Sequence, residues 1–491
     1  MPVHAGTDAR LLAALQASDP ERILVLIQLA GGNDGLNTVI PVTNDLYYQA
    51  RPRLGIRAQN TVALNGEMAL HSGLRAWEAP YKDGRLAIIQ NVGYDNPELS
   101  HFVSTDVWLT GDNAQDLSGT GWLGRYLDGT TPDFDASLPE HPVAVQIGST
   151  SPLLLQAAER SLGVNFPSPS LLNRLIQGSG VYDAEGVPDT LLGEELSFVR
   201  RVSNSSFTYA QVLKSAYDSG SNRVGYPGSS LGQNLATIAR LIRGGLASRI
   251  YHVTIGGFDT HADQAGGHSN LLRQLGDATA AFVNDLGVDG LSERVLAMTF
   301  SEFGRRIHEN SSVGTDHGTA APLFVFGPGL TGGLIGQNPD LAGLDANGNL
   351  VAGADFRSVY AAVLEGWFGL TAPAVSSLLG GSYTAVPLFQ AQTGLGSSAS
   401  SLPGSTVIDG LFPNPARDTA TIQLSLSQTL PVQASLVDLL GRQVASLFNV
   451  VLPAGRQTIG FHIPARIAAG HYLVRVRSGA SLLSRPLVVI D

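Results

Sequence analysis

Carboxylate, imidazole and hydroxyl side chains lie directly after or before several apolar runs of this sequence. Such groups bind divalent metals, transfer protons or act as nucleophiles in enzymes. A single Asp in such a position is usually a helix cap, and a single His is more often a hydrogen-bonded structural residue, so only the combination is informative. The combination consists of Asp34, Ser100, His101, Asp259, His261, Glu302, Asp316 and His317.

The elements that must position these residues are apolar runs typical of buried strands. They cover residues 22–29, 86–92, 249–255, 295–300 and 322–327. Asp316 and His317 precede the last run, whereas the other residues follow a run. In an open α/β sheet these positions converge at the carboxyl edge, where ligands bind. The sequence therefore predicts a site for a divalent metal, Zn, Mn or a similar ion, which prefers these ligands.

Helical segments alternate with these strands. Residues 100–108, 231–248 and 268–286 have helical patterns, and Asp355 is placed to cap a helix that runs to about 368. This alternation predicts an α/β fold with a mostly parallel sheet sandwiched by helices. Residues 150–230 contain no motif with a recognisable role, and they could form a cap or an insertion that faces a substrate.

The composition excludes several classes of protein. The formal net charge of -11 argues against binding to nucleic acid or to an anionic membrane. The chain contains no Cys, which excludes disulfides, thiolate zinc sites and a cysteine-derived formylglycine nucleophile. No apolar run is long enough for a transmembrane segment. The segment Met1 to Asp19 lacks the basic and apolar regions of a signal peptide, so we expect no signal peptide within this chain.

The carboxyl-terminal part of the chain has a different pattern. Residues 394–404 are rich in Gly and Ser, as is typical of a linker. Short alternating strands separated by turn residues follow, at 420–427, 431–438, 456–463, 470–478 and 484–490. A chain of 491 residues is too long for one compact core. We therefore expect a large α/β domain at 1–393 and a small Ig-like β-sandwich at 405–491.

The motifs of this tail are similar to those of a known domain. They are Leu411-Phe-Pro-Asn-Pro-Ala416, Val437-Asp-Leu-Leu-Gly-Arg442, Leu452-Pro-Ala-Gly455 and Ala469-Gly-His-Tyr-Leu-Val474. In this order and spacing they resemble the carboxyl-terminal sorting domain of the type IX secretion system. The resemblance implies the type IX secretion machinery as a partner and a secreted or cell-surface location. The alternative is a generic Ig-like module for adhesion or spacing.

The motifs of the large domain resemble the signature of domain-of-unknown-function family 1501, over about residues 22–370. They are Gly31-Gly-Asn-Asp-Gly-Leu-Asn-Thr38, Leu99-Ser-His-Phe102, Gly257-Phe-Asp-Thr-His261, Ser301-Glu-Phe-Gly-Arg-Arg306 and Gly314-Thr-Asp-His-Gly318. That family resembles the alkaline phosphatase superfamily, which includes sulfatases and cofactor-independent phosphoglycerate mutase. The resemblance implies an alkaline-phosphatase-like fold, two metals and a Ser, Thr or formylglycine nucleophile.

The resemblance also implies how the candidate residues are divided between two metal sites. One site would use Asp259, His261 and His317, with Asp263 as a substitute ligand. The other would use Asp34 and Glu302, with Ser100 as a bridging nucleophile. Phe303 stands where the superfamily has a His ligand, so the second site is incomplete.

We thus expect an exported metal-dependent hydrolase of phosphate or sulfate esters, with a small-molecule or polysaccharide substrate. Arg305 and Arg306 would bind the oxygens of the ester, and Ser104 and Thr105 are rival nucleophiles to Ser100. The alternative is a catalytically degenerate surface binding or assembly protein that retains the fold. A nicotinamide-dependent enzyme is disfavoured because Gly31-Gly-Asn-Asp-Gly35 lacks the dinucleotide-binding spacing.

Overall fold

The computed structural model describes residues 18–132, 134, 138–148, 153–158, 160–166 and 209–390, together with Leu11 and Leu15. Nearer the carboxyl terminus it describes 406–490 except 415, 427, 438–441, 465, 479 and 480. The chain divides into two compact units, Met1–Ala391 and Gln392–Asp491. The expected linker at 394–404, much of the segment 150–230 and part of the tail motifs lie outside the described residues.

The strands of the larger unit are β1 (Ile23–Ala30), β2 (Val39–Pro41), β3 (Thr61–Ala63), β4 (Met68–His71), β5 (Leu86–Gly93), β6 (Ala144–Ile147), β7 (Gly163–Phe166), β8 (Ile250–Gly256), β9 (Val295–Phe300), β10 (Arg305–Glu309), β11 (Thr315–His317), β12 (Ala321–Phe326), β13 (Gly333–Ile335) and β14 (Ala354–Asp355). The α-helices are α1 (Gly35–Thr38), α2 (Asp45–Ala50), α3 (Glu78–Lys82), α4 (His101–Thr110), α5 (Trp122–Thr130), α6 (Ser230–Arg243), α7 (Gln264–Val288), α8 (Phe356–Ala362) and α9 (Ala372–Leu379). Short 3-10 segments occur at Ala58–Asn60, Ser72–Trp77, Leu153–Leu155 and Leu291–Arg294, and a π-helical turn at Val363–Trp367 follows α8.

A large, mostly parallel sheet forms the centre of this unit. Its strand order is β13-β5-β12-β9-β1-β8-β6-β7, and β14 also pairs with β5. Strand β1 runs parallel to β8 and β9, so these three neighbours end at the same edge. Strand β12 runs antiparallel to both β5 and β9. Because of this reversal, the residues that precede β12 lie at the edge where β1, β8 and β9 end.

Helices cover both faces of the sheet. Alternate residues of β1 belong to two different hydrophobic cores: Leu24 and Leu26 pack in the core that contains Trp122 of α5. Ile27 and its alternate neighbours pack in the core that contains Leu235 of α6 and residues of α7. A strand buried on both faces is apolar at nearly every position, which explains the almost continuous apolar run in the sequence.

The expected α/β fold with a mostly parallel sheet is confirmed. Strand β9 has the predicted bounds, and β1 is shifted by one residue from its predicted position. Helix α6 ends at Arg243 rather than at 248, because Gly244 and Gly245 follow and Gly245 adopts a left-handed φ of 86°. Within the described residues, every helix is too short or too polar to cross a membrane.

The smaller unit consists of two antiparallel sheets. Its strands are β15 (Thr406–Phe412), β16 (Thr419–Leu426), β17 (Leu430–Val437), β18 (Gln443–Leu452), β19 (Gly455–His462), β20 (Gly470–Ser478) and β21 (Ser481–Val489). The sheets have the orders β15-β16-β19 and β18-β17-β20-β21, and both contribute to one core that includes Ile422, Phe461 and Val474. The sequence pattern missed β15 and β18. Strand β18 is largely exposed, so it lacks the apolar alternation that marks a half-buried strand.

Candidate metal centre

Three loops at the carboxyl edge of the central sheet bring the candidate ligands together. They follow the adjacent strands β1, β8 and β9. Gly31 has a φ of 119°, and a Cβ atom at this position would lie 2.4 Å from the backbone nitrogen of Asp259. Only Gly allows the first two loops to approach so closely, and this approach determines how the ligands converge.

The carboxylate of Asp259 lies at the centre of the site. Its Oδ1 is 3.0 Å from Nε2 of His261 and 3.2 Å from Nε2 of His317. The Nε2 atoms of the two imidazoles are themselves 3.0 Å apart. The structure thus brings together the three residues that the sequence predicts for the first metal site.

His101 joins this group from the first turn of α4. Its Nε2 lies 3.5 Å from Oδ2 of Asp259, and its ring centroid is 4.5 Å from that of His317. Ligand atoms of His101, Asp259 and His317 all lie within 4.8 Å of one another, a spacing that could hold one metal ion.

Each imidazole is held through Nδ1, and its Nε2 faces the shared centre. The Nδ1 partners are Oε1 of Glu302 for His101 at 2.8 Å, the carbonyl oxygen of Leu99 for His317 at 2.8 Å, and Oδ1 of Asp316 for His261 at 3.2 Å. All three partners are acceptors, so Nδ1 carries the proton and Nε2 presents its lone pair. Metal-ligating His residues are usually oriented in this way by a carboxylate or a carbonyl.

The arrangement fits a divalent metal. Imidazole lone pairs and a carboxylate that face one another repel unless a proton or a cation lies between them. Nitrogen and oxygen ligands about 2.0–2.1 Å from a tetrahedral zinc ion are about 3.3 Å apart. The separations of 3.0–3.5 Å between Asp259 and the imidazoles agree with this value. The side chains of Asp259 and His261 are 47% and 45% exposed, so a ligand can reach the centre from solvent.

The electrostatic environment keeps Asp259 ionised. Partial burial raises the pKa of this carboxyl, but the hydrogen bond and positive charge of Arg305, together with the neighbouring imidazole of His317, outweigh that effect and lower the pKa to about 2. Nη2 of Arg305 donates to Oδ1 at 2.7 Å. At neutral pH Asp259 is therefore a carboxylate, which is the form that binds metal.

Arg305 lies in a different environment from the one that a substrate clamp requires. Its side chain is 0% exposed. Besides Asp259, its donors bind backbone carbonyl oxygens, namely those of Gly32 at 2.8 Å, Thr315 at 2.7 Å, Phe258 at 3.1 Å and Gly31. One guanidinium thus ties the loops after β1 and β8 to β11, and Arg305 is a positioning residue rather than one that contacts a ligand.

Arg306 is the exposed member of the Arg pair. Successive residues of β10 alternate between the interior and solvent, which directs Arg305 inward and Arg306 outward. The pKa of Asp316 is lowered by the hydrogen bond from Asn310 and, to a smaller extent, by the charge of Arg306. The exposed guanidinium of Arg306 therefore lies near the rim of the centre.

The structure does not assemble the second metal site from its expected residues. Asp34 is fully buried, and its Oδ2 lies 2.6 Å from Nη1 of Arg51, which is also fully buried. Burial raises the pKa of Asp34, but the charge and hydrogen bond of Arg51 lower it overall. No hydrogen bond or ion pair among the described residues joins Asp34 to Glu302. The positive charge beside Asp34 is therefore the guanidinium of Arg51 rather than a metal ion. The carboxylate of Glu302 orients His101.

Phe303 forms an apolar wall at the position where the sequence resemblance implies a His ligand. Its side chain is buried, and its ring centroid lies 4.9 Å from that of His101 and 4.6 Å from that of His317. This ring supports two imidazoles of the first site and offers no ligand atom for a second metal.

Ser100 lies next to the centre as the N-cap residue of α4. It is half-buried, and its side chain makes no capping hydrogen bond in the described part of the chain. The rival Ser104 is buried and donates to the carbonyl oxygen of Glu98, so its hydroxyl is engaged in the fold. Thr105, the next residue of the helix, is half-buried. Asp263, the expected substitute ligand, adopts a left-handed φ of 45° before α7 and makes no side-chain cap.

The candidate ligand that the sequence interpretation missed is His101. His101 belongs to the combination of polar residues at the strand ends. The sequence interpretation nevertheless took its neighbour Ser100 as the nucleophile and Glu302 as a metal ligand. A His directly before Phe102, at the start of a helix that follows a buried strand, is the signal that could have identified it. Only the contact with Glu302, a residue 201 positions away, shows that this imidazole is held like a ligand.

These features define a class: an α/β protein with three imidazoles and a carboxylate at the carboxyl edge of its sheet. The chain belongs to the family described as protein of unknown function (DUF1501), whose model matches residues 21–379. A secretion system C-terminal sorting domain matches residues 410–490. Both resemblances seen in the sequence are confirmed. The sorting domain implies export by the type IX machinery and a cell-surface or secreted location. No curated protein matches the chain in sequence.

Solved structures resemble the chain only distantly. Dimeric latent PorU from Porphyromonas gingivalis is 25% identical over 19% of this chain and 10% of its own length, with a TM-score of 0.16. A protein of Bacteroides thetaiotaomicron, from a locus for metabolism of multiple glycosaminoglycans, is 10% identical over 87% of this chain and 89% of its own, with a TM-score of 0.35. The PsFucS1 sulfatase from Pseudoalteromonas sp. is 12% identical over 92% of this chain and 87% of its own, with a TM-score of 0.28. Similarity at this level does not assign an activity.

Proposed function

We propose that the larger unit is a metal-dependent hydrolase of phosphate or sulfate esters that acts outside the cell. The supporting observation is the convergence of three imidazole Nε2 atoms around the carboxylate of Asp259. His101, Asp259 and His317 would hold one divalent ion, which their ligand types suit for Zn or Mn, and His261 lies beside them as a further candidate ligand. When bound, this ion supplies a Lewis acid that stabilises negative charge on the ester and activates a nucleophile.

The remaining roles fall to side chains around this group. Ser100 presents a hydroxyl beside His101 and is our candidate nucleophile for displacement at phosphorus or sulfur, with water as the competing nucleophile. Arg306 supplies an exposed positive charge that attracts the anionic group. Arg305 holds Asp259 in place, and Glu302 holds His101 in the tautomer that presents Nε2.

The second candidate function is a surface binding or assembly protein that has lost catalysis. The pairing of Asp34 with Arg51 favours it, because Asp34 is then not available for a two-metal arrangement. Such a protein would still bind one metal but would turn over no ester.

Metal analysis of the purified chain, combined with a panel of p-nitrophenyl phosphate, phosphonate and sulfate esters, separates these functions. We expect one bound ion per chain, turnover of at least one ester, and loss of both in Asp259→Ala and His317→Ala. Asp277→Ala on the exposed side of α7 and His462→Ala on β19 are matched controls for the loss of a carboxylate or an imidazole elsewhere. Absence of metal and of turnover, with unchanged stability of the Asp259 and His317 variants, would contradict the proposal. Bound metal without turnover would favour the binding protein.

A further inference from the structure

Asn310 links the hairpin of β10 and β11 to the loop that carries His261. It directly follows β10, and its Nδ2 donates to the backbone carbonyl oxygen of His261 at 2.9 Å and to Oδ1 of Asp316 at 3.1 Å. The same Oδ1 atom of Asp316 is the acceptor for Nδ1 of His261 at 3.2 Å. These three hydrogen bonds form a closed ring. The amide of Asn310 therefore holds the backbone of His261 directly and its imidazole through Asp316.

The oxygen of the Asn310 side chain determines which way the amide points. Its Oδ1 accepts hydrogen bonds from the backbone N–H groups of Ser312 and Gly314, both at 3.0 Å. A rotated amide would place its NH₂ group against these two donors and its oxygen against the acceptors of His261 and Asp316. All four contacts would then be lost together. The hairpin itself therefore directs the NH₂ group toward His261.

The hairpin also lies against the backbone of the loop that carries His261. A Cβ atom at Gly314 would lie 2.2 Å from the backbone carbonyl carbon of His261, so only Gly allows this approach. The carbonyl oxygen of Val313 accepts a hydrogen bond from the backbone N–H of Gln264 at 3.0 Å. Val313 adopts a left-handed φ of 57°, which is unfavourable for a β-branched residue. The contacts with the start of α7 hold the hairpin in this conformation.

His261 depends on such support more than the other two imidazoles do. The Nδ1 acceptors of His101 and His317 are the carboxylate of a Glu that is 2% exposed and a backbone carbonyl oxygen, both fixed by the fold. The acceptor for His261 is Asp316, whose side chain is 54% exposed. An exposed pair of this kind contributes little by itself, because ordering its side chains costs entropy. The hydrogen bond from Asn310 supplies the missing constraint on the carboxylate of Asp316.

We propose that Asn310 is a positioning residue that holds His261, through Asp316, in the orientation that directs Nε2 at the carboxylate of Asp259. This Nε2 lies 3.0 Å from Oδ1 of Asp259, near the ~3.3 Å between neighbouring ligands of a tetrahedral zinc ion. His261 is then a further ligand of the metal. Only this last statement rests on the proposed function, because the orientation of the imidazole does not depend on a bound ion.

Asn310→Asp separates this role from support of the hairpin. The variant keeps the shape and the acceptor for the two backbone N–H groups, but it turns a second carboxylate oxygen toward Asp316 in place of the donor. NMR spectra of the full, metal-free chain with isotope-labelled histidine report the tautomer of each imidazole at about pH 8, above the usual pKa of about 6.5. His261→Ala identifies the signal of His261. We expect the Nδ1–H tautomer in the unchanged chain and an average of both tautomers in Asn310→Asp.

Asn65→Asp is the matched control. Oδ1 of Asn65 also accepts hydrogen bonds from two backbone N–H groups of a turn, those of Glu67 and Met68, both at 2.8 Å. This variant therefore introduces the same charge in a similar turn that lies next to neither His261 nor Asp316. The signal of His261 should be the same as in the unchanged chain.

Competition with a chelator extends the test to zinc binding. Asn310→Asp should raise the dissociation constant of zinc about 10-fold, at the lower end of the ~10–100-fold range for residues that orient metal ligands. In a chain that already carries His261→Ala, the same change should have no further effect, because a positioning residue acts only through the side chain that it positions. A residue with a merely structural role would weaken zinc binding equally in both backgrounds.

The proposal is overturned if the signal of His261 is unaltered in Asn310→Asp, or if Asn65→Asp alters it equally. It is also overturned if Asn310→Asp weakens zinc binding equally with and without His261. If Asn310→Asp fails to fold, Asp316→Ala breaks the same link at an exposed position, and an unaltered signal of His261 in that variant would have the same meaning.

The two proposals fail separately. A signal of His261 that responds to Asn310→Asp, in a chain that binds no metal and hydrolyses no ester, would refute the hydrolase and leave the positioning role standing. Ester turnover by a chain whose His261 signal does not respond to Asn310→Asp would do the reverse.

Discussion

Replacement of Glu302 by Gln tests whether His101 is held in place for metal binding. Glu302 is 2% exposed, and its Oε1 accepts hydrogen bonds from the backbone N–H of Gly31 and from Nδ1 of His101, both at 2.8 Å. Its Oε2 accepts a hydrogen bond from the hydroxyl of Ser301 at 3.3 Å. The carbonyl oxygen of Gln can take over the first two bonds while its NH₂ group faces Ser301, so the variant preserves the shape and removes the charge.

The size of the effect follows from these bonds. A hydrogen bond to a charged group contributes about 1.5–3 kcal/mol and one between neutral groups about 0.5–1.5 kcal/mol, so the variant weakens the support of His101 by about 1 kcal/mol. If that loss is transmitted to the ligand atom Nε2, the dissociation constant of the metal rises about 5- to 10-fold. This value lies near the lower end of the ~10–100-fold range for residues that orient metal ligands.

Competition with a chromogenic chelator measures that dissociation constant directly. Glu309→Gln is the matched control, because the carboxylate of Glu309 binds Arg53 and the backbone N–H of Leu54 rather than an imidazole. The control should bind metal as the unchanged chain does. An unaltered dissociation constant in Glu302→Gln, or an equal loss in both variants, would refute the role of Glu302 in orienting His101.

Two further variants test the buried charges. Asp34→Asn removes one partner of the fully buried pair with Arg51, so we expect the free energy of unfolding to fall by about 3–5 kcal/mol in urea titrations. The metal content should stay the same. Loss of metal from the folded variant would show instead that Asp34 is a metal ligand. Burial lowers the pKa of His252 to about 4, below the value of about 6.5 in the unfolded chain, so this residue makes stability fall as pH decreases from about 6.5 to 4. In His252→Phe, the loss of stability at pH 4 should be smaller by about 3 kcal/mol. Equal acid sensitivity of the variant and the unchanged chain would contradict the role of His252.

The strand ends were predictable because the signals that mark them are local. A strand of a parallel sheet is apolar at nearly every position, and in this chain a polar or Gly-rich segment follows it. This pattern predicted β1, β5, β8 and β9 and therefore the edge at which Asp259, His261 and His317 meet. Strand β12 was also predicted, but its antiparallel direction was not, because direction depends on pairing with distant strands.

The roles of individual polar residues were less predictable, since they depend on partners that are far away in the chain. Asp34 and Glu302 both follow buried strands and both carry a carboxylate, so the sequence predicts both equally well as metal ligands. In the fold, the guanidinium of Arg51, which follows α2, neutralises Asp34. The imidazole of His101, in α4, is hydrogen-bonded to the carboxylate of Glu302. Arg305 and Arg306 are adjacent in sequence, yet the alternation of β10 buries one and exposes the other.

The sequence by itself was enough to recognise the mostly parallel sheet and the sorting tail, and to predict the two-part organisation and three residues of the candidate metal centre. Each of these depends on a local pattern or on a motif carried by contiguous residues. The tertiary structure alone decided that His101 lies beside Asp259, that Arg51 forms an ion pair with Asp34 and that Arg305 holds the loops in position. These outcomes depend on which side chains meet at the sheet edge, and that is set by strand order and helix packing across more than 200 residues of chain.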